Sequence, residues 1–136
     1  MPQDWPFHLR ETPPAPTLLG RVMLSADPVA GEARMRFFAR PEFANRHGSV
    51  QGGFISAMLD SATSVAVLAT LPEELTSVTL SLETRFLKPA PLGELFARGR
   101  MLEKSDREAL SEGRLEGADG TVYATARARL RIRPRI

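Results

Sequence analysis

An aspartate sits within an apolar helical stretch, and a Gly-Gly pair precedes it by seven and eight residues. This is the arrangement in the 136-residue chain best equipped for a reaction. Residues 45–60 read NRHGSVQGGFISAMLD. The first amides of a helix have no intrahelical acceptor and carry the positive end of the macrodipole. With only glycine at Gly52 and Gly53, a substrate oxygen can approach those N–H groups closely and be stabilised as it gains charge. Asp60 is the candidate for the matching base, because a carboxylate among apolar residues is costly unless it is paired, hydrated or catalytic. The bland alternatives are a flexible turn before the helix for the glycines and, for Asp60, a wet seam or a bond to Ser56 or Ser64.

Spacing limits how the two groups can cooperate. Gly53 and Asp60 lie about 10 Å apart along a helix axis. Side chains lean toward the N-terminus and recover only part of that distance. One helix cannot easily wrap both groups around a single carbonyl. An antiparallel second copy could, which implies a two-fold dimer with amides from one chain and the acid from the other.

The elements that must position these residues follow from hydrophobic periodicity. From Gly52 to Leu71, apolar residues recur at helical spacing over most of the girth, so the helix is largely buried. Ser56, Asp60, Thr63 and Ser64 share one narrow polar face, and Pro72 closes the helix. Residues 18–26 and 33–39 read as strands joined by a turn at Asp27-Pro28 and Gly31. Residues 40–51 form the loop into the helix. The run from Ser77 to Lys88 reads as a strand with Val78, Leu80, Leu82 and Phe86 on its inner face and Thr79, Ser81, Glu83 and Arg85 on the other. Strands follow at 94–103, 108–116 and 121–133. In the last, Val122, Ala124, Ala126, Ala128, Leu130 and Ile132 alternate with outward Arg127, Arg129, Arg131 and Arg133. Short connections imply antiparallel pairing. The expected class is α+β: a curved antiparallel sheet of five to six strands wrapped around one long central helix. Residues 1–17, with five prolines, read as an extended arm without helix, pinned by Trp5 and Phe7. Residues 18–136 form a single domain.

Composition removes several function classes. The absence of cysteine excludes disulfides and thiolate chemistry. His8 and His47 are the only imidazoles, too few for a zinc site, so no metal is expected. Sixteen arginines and two lysines are scattered among acids for a net charge of +2, which argues against a nucleic-acid binder. No apolar run reaches transmembrane length and no signal peptide is visible, so the expected location is the cytoplasm, away from membranes.

The motif Asn45-x5-Gln51-Gly52-Gly53-x6-Asp60, followed by TLSLETRFLKPAPLG from Thr79 to Gly93, resembles the hotdog-fold acyl-CoA thioesterases of the phenylacetate-degradation type. The resemblance covers about residues 18–132. It implies a hotdog fold and hydrolysis of an acyl-CoA thioester, with coenzyme A arriving as part of the substrate and no separate cofactor. Asp60 would be the general base or nucleophile, and the Gly52 N–H would polarise the carbonyl. Asn45 would hold the carbonyl or the attacking water, and Thr79 or Ser64 would orient water beside the acid. The resemblance also implies a homodimer, often a dimer of dimers. One departure stands out: many members carry histidine where this chain has Gln51, which can donate a hydrogen bond but cannot carry a proton at neutral pH. His47, four residues earlier, reads as a loop histidine.

Coenzyme A brings phosphates, and Lys104, Arg107 and Arg131 are the basic positions expected to meet them at a subunit edge; otherwise they are plain surface charges. Phe54, Met58 and Phe86 could line the acyl pocket. Two other readings compete. One is an acyl-thioester dehydratase or hydratase, with His47 and Asp60 as its only acid–base pair. The other is a non-catalytic acyl-CoA-binding or sensing domain.

Overall fold

The computed structural model describes residues 5–136, apart from the Phe7 side chain. The expectations for Pro2 and the Phe7 ring therefore fall outside the described residues. After a 3-10 turn at Phe7–Leu9, the elements are α1 (Pro14–Leu18), β1 (Val22–Asp27), β2 (Glu32–Ala39), a second 3-10 turn at Pro41–Phe43, α2 (Gly52–Leu68), β3 (Leu75–Phe86), β4 (Gly93–Lys104), β5 (Glu108–Glu116) and β6 (Val122–Pro134). The six strands form one antiparallel sheet in the order β1-β2-β4-β5-β6-β3. β3 and β1 are its edges. α2 packs against β2, β3, β4, β5 and β6, as expected of a sheet curved around a central helix. Among the described residues, no helix is long and apolar enough to cross a membrane.

Small residues let the helix sit down on the sheet. Gly99 on β4 and Gly113 on β5 are directly paired. A Cβ at Gly99 would run into the carbonyl oxygen of Ala62, and one at Gly113 would meet Thr63 Cγ2 at 3.1 Å. Ala124, Ala126 and Ala128 of β6 continue this low floor, and all three are buried. Met58, Leu59, Ala62 and Ala66 of α2 are fully buried above it. Arg127, Arg129, Arg131 and Arg133 point to the outer face, as the alternation predicts. There Arg127 reaches Glu112 and Arg129 reaches Glu108 across the strand pair.

Three expectations are corrected. The proline-rich arm is not wholly extended, since Pro14–Leu18 form α1. Prolines in a first helical turn lack only N–H groups that would have no partner there, and the Thr17 amide and hydroxyl both donate to the Pro13 carbonyl. The first strand consequently begins at Val22, after a turn at Gly20 with φ 68°. Leu9 of the arm is fully buried and Trp5 packs against the core. α2 ends at Leu68, three residues short of Leu71.

The third correction concerns β3. Its pairing with β6 slips between Thr79 and Ser81. This bulge makes Leu80 the extra residue and breaks strict alternation. Thr79 lies opposite buried Leu130, and Leu82 and Thr84 lie opposite buried Ala128 and Ala126. Thr79 therefore faces the helix, while Val78 and Leu80 are 41% and 40% exposed. The inward Thr79 contradicts the period-2 reading, which placed it outside.

Candidate active site

The loop before α2 is tied down before the helix starts. The Val50 amide donates to the Ala90 carbonyl at 2.9 Å and the Gln51 amide to the Phe43 carbonyl at 2.8 Å. The Phe43 and Phe54 rings stack at 4.0 Å, joining the loop to the first helical turn. Gln51 is the N-cap, exposed, with no side-chain cap bond. Gly52 is thus the first helical residue. Among the described residues, the Gly52 and Gly53 amides have no hydrogen-bond acceptor. Phe86 closes the space beside Gly52, where a Cβ would meet its ring at 3.3 Å, whereas beside Gly53 nothing lies within 4 Å.

Asp60 is half-buried on the seam between α2 and the edge strand β3. Thr79 Oγ1 donates to Asp60 Oδ1 at 2.7 Å. Ser64 Oγ lies 3.5 Å from Thr79 Oγ1. Since Thr79 spends its proton on Asp60, Ser64 is the donor in that contact. The structure thus brings together Asp60, Thr79 and Ser64 and leaves Oδ2 of Asp60 without a partner among the described residues. Four residues back along the same helix line, Ser56 Oγ donates to Thr84 Oγ1 at 3.0 Å. The sequence reading offered Ser56 as a partner for Asp60, but Ser56 bonds Thr84 instead, a residue it missed because strict alternation of β3 hides which hydroxyls point inward. Thr63 leaves the polar face: it is fully buried over Gly113 and donates back to the Leu59 carbonyl.

Other predicted residues lie elsewhere. The Asn45 side-chain oxygen accepts from the His47 and Ser49 amides, and its Nδ2 donates to Ser49 Oγ. Asn45 therefore shapes the loop and keeps one N–H for other work. His47 is exposed in that turn. Lys104, Arg107 and Arg131 are exposed at the far end of the protomer. Lys104 Nζ donates to Thr70 Oγ1 just beyond the C-terminus of α2, and Arg131 lies opposite Glu108. A residue the sequence did not flag is Arg21. It is 9% exposed, it donates to Ser61 Oγ at 2.9 Å, and its Nε has no partner among the described residues. Burial lowers its pKa from the ordinary arginine value. Two grooves, of about 740 and 210 Å³, lie on the outer sheet face among residues such as Arg34, Arg98, Arg114 and Arg127, and neither reaches Asp60.

One long helix packed against a curved six-stranded antiparallel sheet is the hotdog architecture. A model of the thioesterase superfamily matches residues 47–124, a span that includes the helix and the Asp60 seam. The chain belongs to that superfamily, and it is a thioester hydrolase. A protein of Saccharolobus solfataricus named as an esterase is 30% identical over 96 residues, 71% of this chain and 68% of that one. A phenylacetic acid degradation-related protein from Ralstonia eutropha JMP134 superposes with a TM-score of 0.84 at 35% identity, covering 91% of this chain and 94% of that one. A Streptococcus mutans protein solved with acetyl CoA shares the fold at a TM-score of 0.80 and 19% identity, covering 94% of this chain and 98% of that one.

Proposed function

We propose that the protein hydrolyses acyl-CoA thioesters to the free acid and coenzyme A, at two equivalent sites built between two copies of the chain. The observation that carries this reading is the Thr79-held Asp60 carboxylate, aligned on one helix with two unbonded glycine amides. Gly52 and Asp60 lie about 12 Å apart along the axis. A second helix running the other way brings the amide of one chain to the acid of its partner. The free edge of β3 beside the seam, with half-exposed Val78 and Leu80, is the surface that would meet the partner. The acetyl CoA held by the Streptococcus mutans neighbour supports the choice of thioester.

In this mechanism Oδ2 of Asp60 removes a proton from water, and the oxygen adds to the thioester carbonyl. The carbonyl oxygen takes the electron pair and is met by the Gly52 amide of the partner subunit. The pair then re-forms C=O as the carbon–sulfur bond breaks. The coenzyme A thiolate recovers the proton from Asp60, leaving the free acid. The Thr79 hydroxyl keeps Asp60 in place throughout. Gln51, exposed beside the same amides, donates a hydrogen bond to the substrate carbonyl, and Asn45 offers its remaining N–H. In the antiparallel pair, the C-terminal end of one α2 lies beyond the glycine end of the other. That puts Lys104 and Arg107 within reach of the coenzyme A phosphates.

Complementation tests the arrangement. Gly52→Pro removes the amide at a position where proline suits a helix, and Asp60→Ala removes the acid. Each variant alone is expected to be inactive in a coenzyme A release assay on an acyl-CoA panel. Co-expressed, they should recover about a quarter of wild-type activity, because half of the dimers are mixed and each carries one intact site. A mixture no more active than its parents would refute the shared site.

A further inference from the structure

We propose that Ser56, held by Thr84, is the residue that sets how long an acyl group the enzyme accepts. The inference rests on the shared-site reading above and extends it. If Gly52 of one chain faces Asp60 of the other, the residue halfway between them faces its own copy. That residue is Ser56, which therefore stands at the molecular two-fold between the two reacting centres. Its hydroxyl is not free to turn away, because it donates to Thr84 Oγ1 at 3.0 Å. Thr84 in turn is fixed opposite buried Ala126 on the sheet.

The rest of the seam leaves an acyl chain one direction. Within a protomer the helix meets β3 through Gly52 against Phe86, Ser56 against Thr84 and Asp60 against Thr79. Below α2, Leu59, Ala62 and Ala66 are fully buried on the glycine and alanine floor. The chain must lie in the space between the two protomers. Coenzyme A is large and charged and stays toward solvent, so the acyl end points inward to the two-fold. Each reacting carbonyl lies about 6 Å along the helix axis from the Ser56 pair, roughly the reach of five carbon atoms. A serine at this point is small enough to let a chain approach the axis and polar enough to disfavour an apolar tail running past it.

The test uses the full-length protein and measures kcat/KM on straight-chain acyl-CoAs from acetyl to lauroyl. Ser56→Leu should lower the octanoyl-to-acetyl ratio by about tenfold or more. Ser56→Ala, which keeps the space and removes the hydroxyl, should raise that ratio. A ratio of kcat/KM values does not depend on the fraction of enzyme folded, so a partly unstable variant still gives an answer. Ratios that stay within about twofold of wild type, or that move the same way in both variants, overturn the role of Ser56. If they do so while the Gly52→Pro and Asp60→Ala chains still complement, Ser56 alone is at fault. Failure of complementation removes the shared site and this proposal together.

Discussion

A carboxylate on a half-buried helix face is costly unless something holds it, and Thr79 holds Asp60 with a 2.7 Å bond. Asparagine has the same shape and can still accept from Thr79. Asp60→Asn should therefore fold normally and bind substrate with little change in KM, while kcat falls by about 10²–10⁴-fold. A coenzyme A release assay beside a thermal melt checks both halves of that statement. Thr79→Val removes the holding hydroxyl and should lower kcat by about tenfold, whereas Thr79→Ser should restore most of it. The buried guanidinium of Arg21 has one serine partner and an unbonded Nε. Arg21→Met replaces a charge that burial disfavours with an apolar side chain of similar length, so the urea midpoint should hold or rise.

At the level of elements, the closest approach of helix to sheet depends on the Gly99–Gly113 pair. Gly99→Ala forces a methyl group into the Ala62 carbonyl, and neither the helix backbone nor a central strand can easily give way. The expected loss is about 3 kcal/mol, measured by urea unfolding. The bulge at Leu80 is the other decisive local feature. It reverses the phase of β3, so that Thr79, Leu82 and Thr84 all face α2. Without it, the hydroxyl that holds Asp60 would point to the outer side of the sheet.

For the whole molecule, β3 is an edge strand with Val78 and Leu80 partly exposed on it, and such an edge invites pairing. Leu80→Glu puts a charge on that edge without disturbing the protomer core. It should yield a folded monomer in sedimentation, with coenzyme A release reduced at least about a hundredfold, because each site then lacks one of its two halves. An active monomer would contradict the shared-site reading.

The helix with its Gly-Gly start, the Asp60 spacing, the antiparallel pairing of strands joined by short turns and the inward alanines of β6 are all legible in the chain, because each depends on neighbours close in sequence. The 3.6-residue and two-residue periods report them directly. The face of Thr79, its bond to Asp60, the Ser56–Thr84 pair and the Arg21–Ser61 contact are not legible, since each joins residues 19 to 40 positions apart. They depend on where β3 bulges against β6 and on how the turn before β1 carries Arg21 to α2, and no local pattern encodes a slip in strand register. The helical part of the proline-rich arm escaped for a related reason. Proline excludes the middle of a helix but not its first turn, and only the folded backbone shows which applies. The amino-acid order alone named the candidate groups for hydrolysis; the three-dimensional pairing of strands decided which hydroxyls stand beside the acid, because that choice is made by contacts between distant parts of the chain.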